Sequence, residues 1–401
     1  MGYRILAVTL TLLLFLCNIS LNAVPQSDEN EYDAITVLDI MANTNLLNLK
    51  AKSYILMENT TGKIIMESNC HEKRPIASVT KIMTLLLVFE AVKSGKISFH
   101  DQVVISESSF RMGGSQVYLE PKEEFSVHEL LKAVAINSAN DASVALAEKV
   151  SGSEEAFVAS MNQKAKELGM VNTNFLDSSG LTDEGHYSTA YDIAVMSREL
   201  LLKHPQITEY TSIWHDTFRD GTFALNNTNK LIRFYDGANG LKTGFTSKAG
   251  FCLSATAKRG NMGLIAVVLG EPDSNTRFAE ARKLLDYGFT NYELNPINKE
   301  GDIAGEIFVK NGIKKSLSVV FPYNVDLLVL KGEKDKIHKK IVLYEELDAP
   351  INGGKKTGEV IFEVDGREIE RVELVASETV ERATFIGIYR EMIIGLLKLG
   401  K

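Results

Sequence analysis

The sequence predicts an α/β layer domain followed by a small all-β sandwich, and three observations carry that prediction. Two short β-rich runs, Ser53–Met57 and Lys63–Glu67, flank the turn tetrad Asn59-Thr60-Thr61-Gly62, which fits a hairpin. A long helical middle follows, and strands return at Phe251–Ala257 and Leu264–Leu269 around the turn Lys258-Arg259-Gly260-Asn261. Beyond Asn295-Pro296, read here as a break between domains, come short alternating runs with two Asx-Gly turns, Asn311-Gly312 and Asp365-Gly366, which argue a sandwich.

Within the helical middle, Ser126 with Glu129 makes a capping box that opens Leu130–Ile136. Asp141 reads as the cap of a second run ending at Ser151-Gly152, and Ser153 begins a third that Gly169 stops. Thr189 with Asp192 reads as a further capping box before Ile193–Leu202. A helix from about Thr276 to Phe289 closes the α/β part.

Composition narrows the classes. With 401 residues, 45% of them apolar, the chain can bury a sizeable core, so disorder is excluded. Lys+Arg 44 against Asp+Glu 52 leaves a net charge of −8, which lacks the basic excess that nucleic-acid phosphates require. Three cysteines without C-x-x-C spacing exclude a disulfide scaffold, and free buried thiols are expected at Cys70 and Cys252. The seven histidines show no ligand spacing, so no metal and no cofactor is expected.

Arg4, the apolar run Ile5–Cys17 and the small-residue stretch before Val24 read as an export signal over 1–23, a retained anchor being the alternative. At the other end, Phe385, Ile388, Tyr389, Met392, Ile393, Leu396 and Leu399 share one helical face. An amphipathic helix over 384–401 that lies on a membrane surface is expected, with docking on the β domain as the alternative.

Ser78 and Lys81 stand at the start of the apolar stretch Ile82–Phe89, so a helix there puts the lysine amine over the serine hydroxyl. A nucleophile and a base result, provided burial or a neighbouring cation such as Lys242 strips the lysine of its charge. Ser138-Ala139-Asn140 falls in a break between helices, where a hydroxyl and an amide can face a cleft. Lys242-Thr243-Gly244 opens the later strands, and its glycine is expected to let substrate backbone approach a strand edge. A second copy, Lys356-Thr357-Gly358, reads as a loop.

In that order the three motifs are the signature set of serine penicillin-recognising enzymes. The chain resembles the low-molecular-weight penicillin-binding proteins that are D-alanyl-D-alanine carboxypeptidases, strongly from about Asp33 to Gly288. The segments Pro75–Thr84, His186–Ala190, Asn227–Leu231 and Asp236–Thr246 share that family's pattern. The resemblance implies a β-lactamase-like transpeptidase domain over 34–290, an antiparallel sheet with helices plus a helical subdomain, then a β sandwich over 295–380. It implies Ser78, Lys81, Ser138, Asn140 and Lys242 as catalytic residues, with Thr243, Gly244, Phe245, Thr246 and Arg277 binding substrate. Oxyanion donors would be the Ser78 and Phe245 backbone N–H groups, and Phe245 stands where family members often carry histidine.

The substrate so implied is a peptidoglycan stem peptide ending in D-Ala-D-Ala, and β-lactams would be covalent inhibitors. The location so implied is outside the cytoplasmic membrane, peripherally anchored beside the wall. An endopeptidase on cross-linked stems and a non-catalytic wall-binding protein remain alternatives. A class A β-lactamase is disfavoured because Glu167 has Val171, not asparagine, four residues on.

Overall fold

The computed structural model describes residues 47–182, 184–387, 389 and 393. The export signal over 1–23 lies outside the described residues, as does most of the 384–401 helix. Of that helix, Phe385, Ile386, Gly387, Tyr389 and Ile393 are described and helical, and Phe385 and Ile386 are exposed. Among the described residues no helix is long and apolar enough to cross a membrane.

The expected hairpin is β1 (Ser53–Glu58) with β2 (Ile64–Ser68), paired antiparallel. Two small ladders, β3 (Gln102–Val104) with β4 (Glu124–Ser126) and β5 (His215–Phe218) with β6 (Phe223–Asn226), serve the helical part. The strands β7 (Ala238–Thr246), β8 (Gly250–Arg259) and β9 (Met262–Glu271) complete an antiparallel five-stranded sheet in the order β2-β1-β9-β8-β7, leaving β7 at an edge. β9 is buried along its whole length because both sheet faces are covered. Ile265, Val267 and Leu269 enter one core, while Leu264, Ala266 and Val268 enter the other, the period of two expected of a strand.

On the first face lie α1 (Lys81–Lys93), α2 (Val127–Asn137), α3 (Asn140–Ser151), α4 (Glu154–Glu167) and α5 (Ala190–Lys203). α1 is apolar on nearly every side because it runs through the middle of this core. On the second face α6 (Ser274–Asn291) packs Phe278, Ala281, Leu284 and Leu285 onto the sheet, its N-terminus capped by the Asp273 carboxylate.

The Ser126–Glu129 capping box forms with both reciprocal bonds, and Ser153 and Gly169 bound α4 as expected. Two expected caps are corrected. α3 is entered from Ala139, because the Asp141 carboxylate is spent on the backbone N–H groups of Val117, Leu119 and Ala142. Thr189 caps α5, but the Asp192 carboxylate turns away to Asn172 N and Thr173 Oγ1, so no box forms.

At Asn295-Pro296 the strand itself is not interrupted. These residues lie inside β10 (Tyr292–Asn298), whose ladder with β13 (Val325–Leu330) shifts register between Pro296 and Asn298, an irregularity that tolerates a residue without N–H. The remaining strands are β11 (Ile303–Lys310), β12 (Ser316–Val320), β13 (Val325–Leu330), β14 (Ile337–Leu343), β15 (Glu346–Asp348), β16 (Lys356–Val364) and β17 (Arg367–Ala376). Six of them form a sheet in the order β14-β16-β17-β12-β11-β15, and β10 with β13 makes a separate two-stranded ladder. Phe321, Leu327, Val329, Val360, Phe362 and Leu374 fill the core they share.

Asp365-Gly366 makes the expected tight turn, both residues at positive φ, whereas only Asn311 of the Asn311-Gly312 pair does so and that loop is wider. Lys356-Thr357-Gly358 is strand and not loop. It opens β16, and a Cβ at Gly358 would lie 2.5 Å from Val342 O of the paired strand. Both Cys70 and Cys252 are buried and free, as expected. The β part touches the α/β part where Lys63 pairs with Glu370 at 2.9 Å.

The box at Ser126 fixes the start of the helix that ends at Ser138, so its loss is measurable. Ser126→Ala is expected to lower stability by about 1 kcal/mol in denaturant unfolding. An unchanged midpoint would show that the box does not hold α2.

Candidate active site

Ser78 sits in a single 3-10 turn, Ala77–Thr80, that runs directly into α1, so Lys81 lies one turn on, as the spacing requires. The Lys81 side chain is fully buried, and its Nζ lies 2.9 Å from Ser78 Oγ, 2.6 Å from Asn140 Oδ1 and 2.7 Å from Ser179 O. Asn140 Oδ1 and Ser179 O can only accept. A neutral amine has two hydrogens for them, which leaves its lone pair facing the Ser78 hydroxyl. Burial pulls the Lys81 pKa down to about 7, and the carboxylates of Asp177 and Asp141 keep it from falling further.

Asn140 begins α3 and is held by its own contacts, Nδ2 donating to Gly113 O at 2.7 Å and its backbone N–H to Ser115 O at 2.7 Å. Ser138 is buried at the C-terminus of α2 with φ 62°, a left-handed residue that turns the chain between the two helices. The break expected from the sequence is therefore a single strained residue.

Lys242 lies in β7, fully enclosed, with Nζ donating to Thr243 O at 3.0 Å. Burial depresses its pKa strongly, and the charges of Lys81 and Arg277 push it the same way. Thr243 donates to Thr228 Oγ1 at 2.8 Å, and Thr246 Oγ1 accepts the Ala249 N–H at 3.1 Å. Phe245 is 55% exposed beside them, its ring 4.3 Å from that of Phe251.

Gly244 also has a packing role. A Cβ there would meet Ile76 O at 2.6 Å and Val79 N at 3.1 Å, so the close approach it permits is that of the Ser78 turn to β7. Arg277 is nearly buried under the same strand. Its Nη1 donates to Gly244 O at 3.1 Å and Cys252 O at 3.2 Å, so it braces β7 and β8 from behind.

Motif reading missed the loop that closes the site over Lys81. Asp177 Oδ1 accepts the backbone N–H groups of Ser179, Gly180 and Leu181, and Oδ2 accepts that of Thr182. Burial would raise the Asp177 pKa, yet the hydrogen bonds it accepts from Thr182 and from the Ser179 backbone N–H pull it to about 2. Thr84 Oγ1 donates to Ser178 O at 2.6 Å, tying this loop to α1. Asn227 and Asn229 also had no assigned role. Asn227 Nδ2 holds Ile213 O at 2.7 Å and Asn229 Nδ2 holds Gly240 O at 2.8 Å, clamping the start of β7.

Residues 40–273 match the D-alanyl-D-alanine carboxypeptidase family of serine peptidases. The chain belongs to that family. Residues 292–382 match the C-terminal domain of penicillin-binding protein 5. Among its relatives is D-alanyl-D-alanine carboxypeptidase DacF of Bacillus subtilis, 45% identical over 347 residues, covering 86% of this chain and 89% of that protein. Penicillin-binding protein 5 of Haemophilus influenzae superposes with a TM-score of 0.79 at 33% identity, covering 83% of this chain and 98% of that one. Penicillin-binding protein D2 of Listeria monocytogenes, solved in its ampicillin-bound form, matches at TM-score 0.56 and 35% identity over 60% of this chain and 98% of that one. As a family member the chain is a penicillin-sensitive serine-type carboxypeptidase, and the α/β part followed by an all-β part is the family's fold.

Gly244→Ala tests the contact between the Ser78 turn and β7. The added methyl meets backbone rather than a flexible side chain, so the turn must shift, and the acylation rate by penicillin is expected to fall about 100-fold. Acylation at the parent rate would show that the turn does not need that contact.

Proposed function

We propose that this serine carboxypeptidase removes the terminal D-alanine of peptidoglycan stem pentapeptides, limiting their cross-linking, through an ester on Ser78. The observation that carries the reading is the Lys81 amine held by two acceptors with its third direction on Ser78 Oγ. Ser78 gives its proton to Lys81 and its Oγ attacks the carbonyl between the two terminal D-alanines. The oxyanion is received by the backbone N–H groups of Ser78 and Phe245. The proton passes from Lys81 through Ser138 and Lys242 to the leaving amine, the C–N bond breaks, and water then hydrolyses the ester.

Asn140 Nδ2 donates one hydrogen to Gly113 O, and its other is available to the substrate amide. Thr243 and Thr246 would bind the departing carboxylate. Arg277, enclosed beneath Gly244, supplies a fixed positive charge behind the strand rather than a solvated contact. β-lactams carry a comparable carboxylate and carbonyl, so they would acylate Ser78 in the same way.

The domain limits that go with this reading are 34–290 for the catalytic part and 295–380 for the β part. The export signal over 1–23 would deliver the enzyme to the outer face of the cytoplasmic membrane. The amphipathic helix over 384–401 would hold it there peripherally, beside its substrate.

Mass spectrometry of protein lacking the signal and the C-terminal helix, after incubation with penicillin and separately with diacetyl-Lys-D-Ala-D-Ala, tests the chemistry. An adduct on the peptide containing Ser78 together with free D-alanine is expected. Folded protein that gives neither would overturn the catalytic reading. Because acylation needs the uncharged amine, its rate is expected to rise with pH through about 7 and level off above. A rate that falls over that range would assign the base elsewhere.

A further inference from the structure

His186 acts on no substrate atom in the mechanism above, yet it reaches the nucleophile turn. Its Nε2 lies 2.8 Å from Thr80 Oγ1, and Thr80 Oγ1 in turn lies 2.8 Å from Ala77 O. A carbonyl oxygen only accepts, so the Thr80 hydroxyl donates to Ala77 O and His186 Nε2–H must donate to the hydroxyl. The other ring nitrogen fits this assignment, since Nδ1 accepts the Leu176 N–H at 3.2 Å. The imidazole is thereby fixed as the Nε2–H tautomer.

Ala77 is the residue at the end of this chain, and it is strained. Its φ of +48° lies in the left-handed region that an alanine seldom adopts. Gly180 closes over the same carbonyl, for a Cβ there would stand 1.9 Å from Ala77 O. Such a conformation persists only where its surroundings impose it.

We propose that His186 and Thr80 are positioning residues that aim the Ser78 backbone N–H. The reason is covalent: Ala77 C=O and Ser78 N–H belong to one planar peptide unit, so fixing the direction of the carbonyl fixes the opposite direction of the N–H. This inference rests on the proposed role of that N–H in receiving the oxyanion. A hydrogen-bond relay running from the closing loop, through a side chain of the 3-10 turn, to the donor explains why the histidine is buried with its tautomer set.

The test compares Thr80→Val, which keeps the shape and removes the hydroxyl, with Thr80→Ser, which restores it. Acylation by a labelled penicillin is followed over a range of concentrations, separating the binding constant from the acylation rate constant. Thr80→Val is expected to lower the rate constant at least ~10-fold with the binding constant unchanged. Thr80→Ser is expected to stay within about threefold of the parent protein.

Should Thr80→Val fail to fold, His186→Gln and His186→Ala carry the same comparison, because the glutamine amide can donate where alanine cannot. A Thr80→Val rate constant within about twofold of the parent's, or equal losses in the valine and serine variants, would overturn the relay. So would equal losses in His186→Gln and His186→Ala. Absence of any Ser78 adduct in the parent protein would instead overturn the underlying acyl-enzyme reading, so the two failures are distinguishable.

Discussion

A lysine ammonium removed from water must lose its charge or gain a counter-ion, and Lys81 is held between these outcomes. Among the described residues it has no carboxylate in contact, only the oxygens of Ser78, Asn140 and Ser179, while Asp177 and Asp141 act on it through space. The result is a pKa near neutrality, which suits a base better than either extreme. Much of the α/β part follows from this requirement. α1 has to be buried on nearly all sides to take the amine out of water, and the loop after α4 has to fold back to supply Ser179 O. The Asp177 carboxylate holds that loop in shape with its fan of backbone hydrogen bonds.

The second constraint is contact between backbones. The nucleophile turn is gripped between Gly180 on one side and Gly244 on the other, and neither position has room for a Cβ. Side chains brace this arrangement from outside it: Arg277 under Gly244, Thr80 under Ala77, Asn229 at the start of β7. Lys242 is enclosed in the same strand, where the charges of Lys81 and Arg277 add to the cost of its own. The two lysines thus oppose each other's protonation, and a bound carboxylate would relieve that opposition.

The chemistry was legible in the sequence to the extent that it depends on spacing along one helix or strand. Ser78 and Lys81 are one turn apart, and Lys242 to Thr246 share one strand, so local geometry alone brings each set together. The capping box at Ser126 was readable for the same reason. What was not readable depends on partners distant in sequence. Asp141 looked like a cap, but Val117 and Leu119 bring their N–H groups to it from another segment. Asn295-Pro296 looked like a break because proline interrupts most strands, and only the pairing with β13 shows where it is tolerated. Lys356-Thr357-Gly358 was misread because a glycine's neighbour, here a paired strand, is not encoded beside it. Ser179 contributes through its carbonyl, which every residue possesses, so no side-chain pattern could have found it.

Whether Lys81 is an uncharged amine poised on Ser78 can be read from its own titration. In protein carrying 13C at the lysine Cε position, the Lys81 resonance can be assigned by its loss in Lys81→Arg and followed with pH. A midpoint near 7 is expected. A midpoint near 10.4, the value of a solvated lysine, would contradict it.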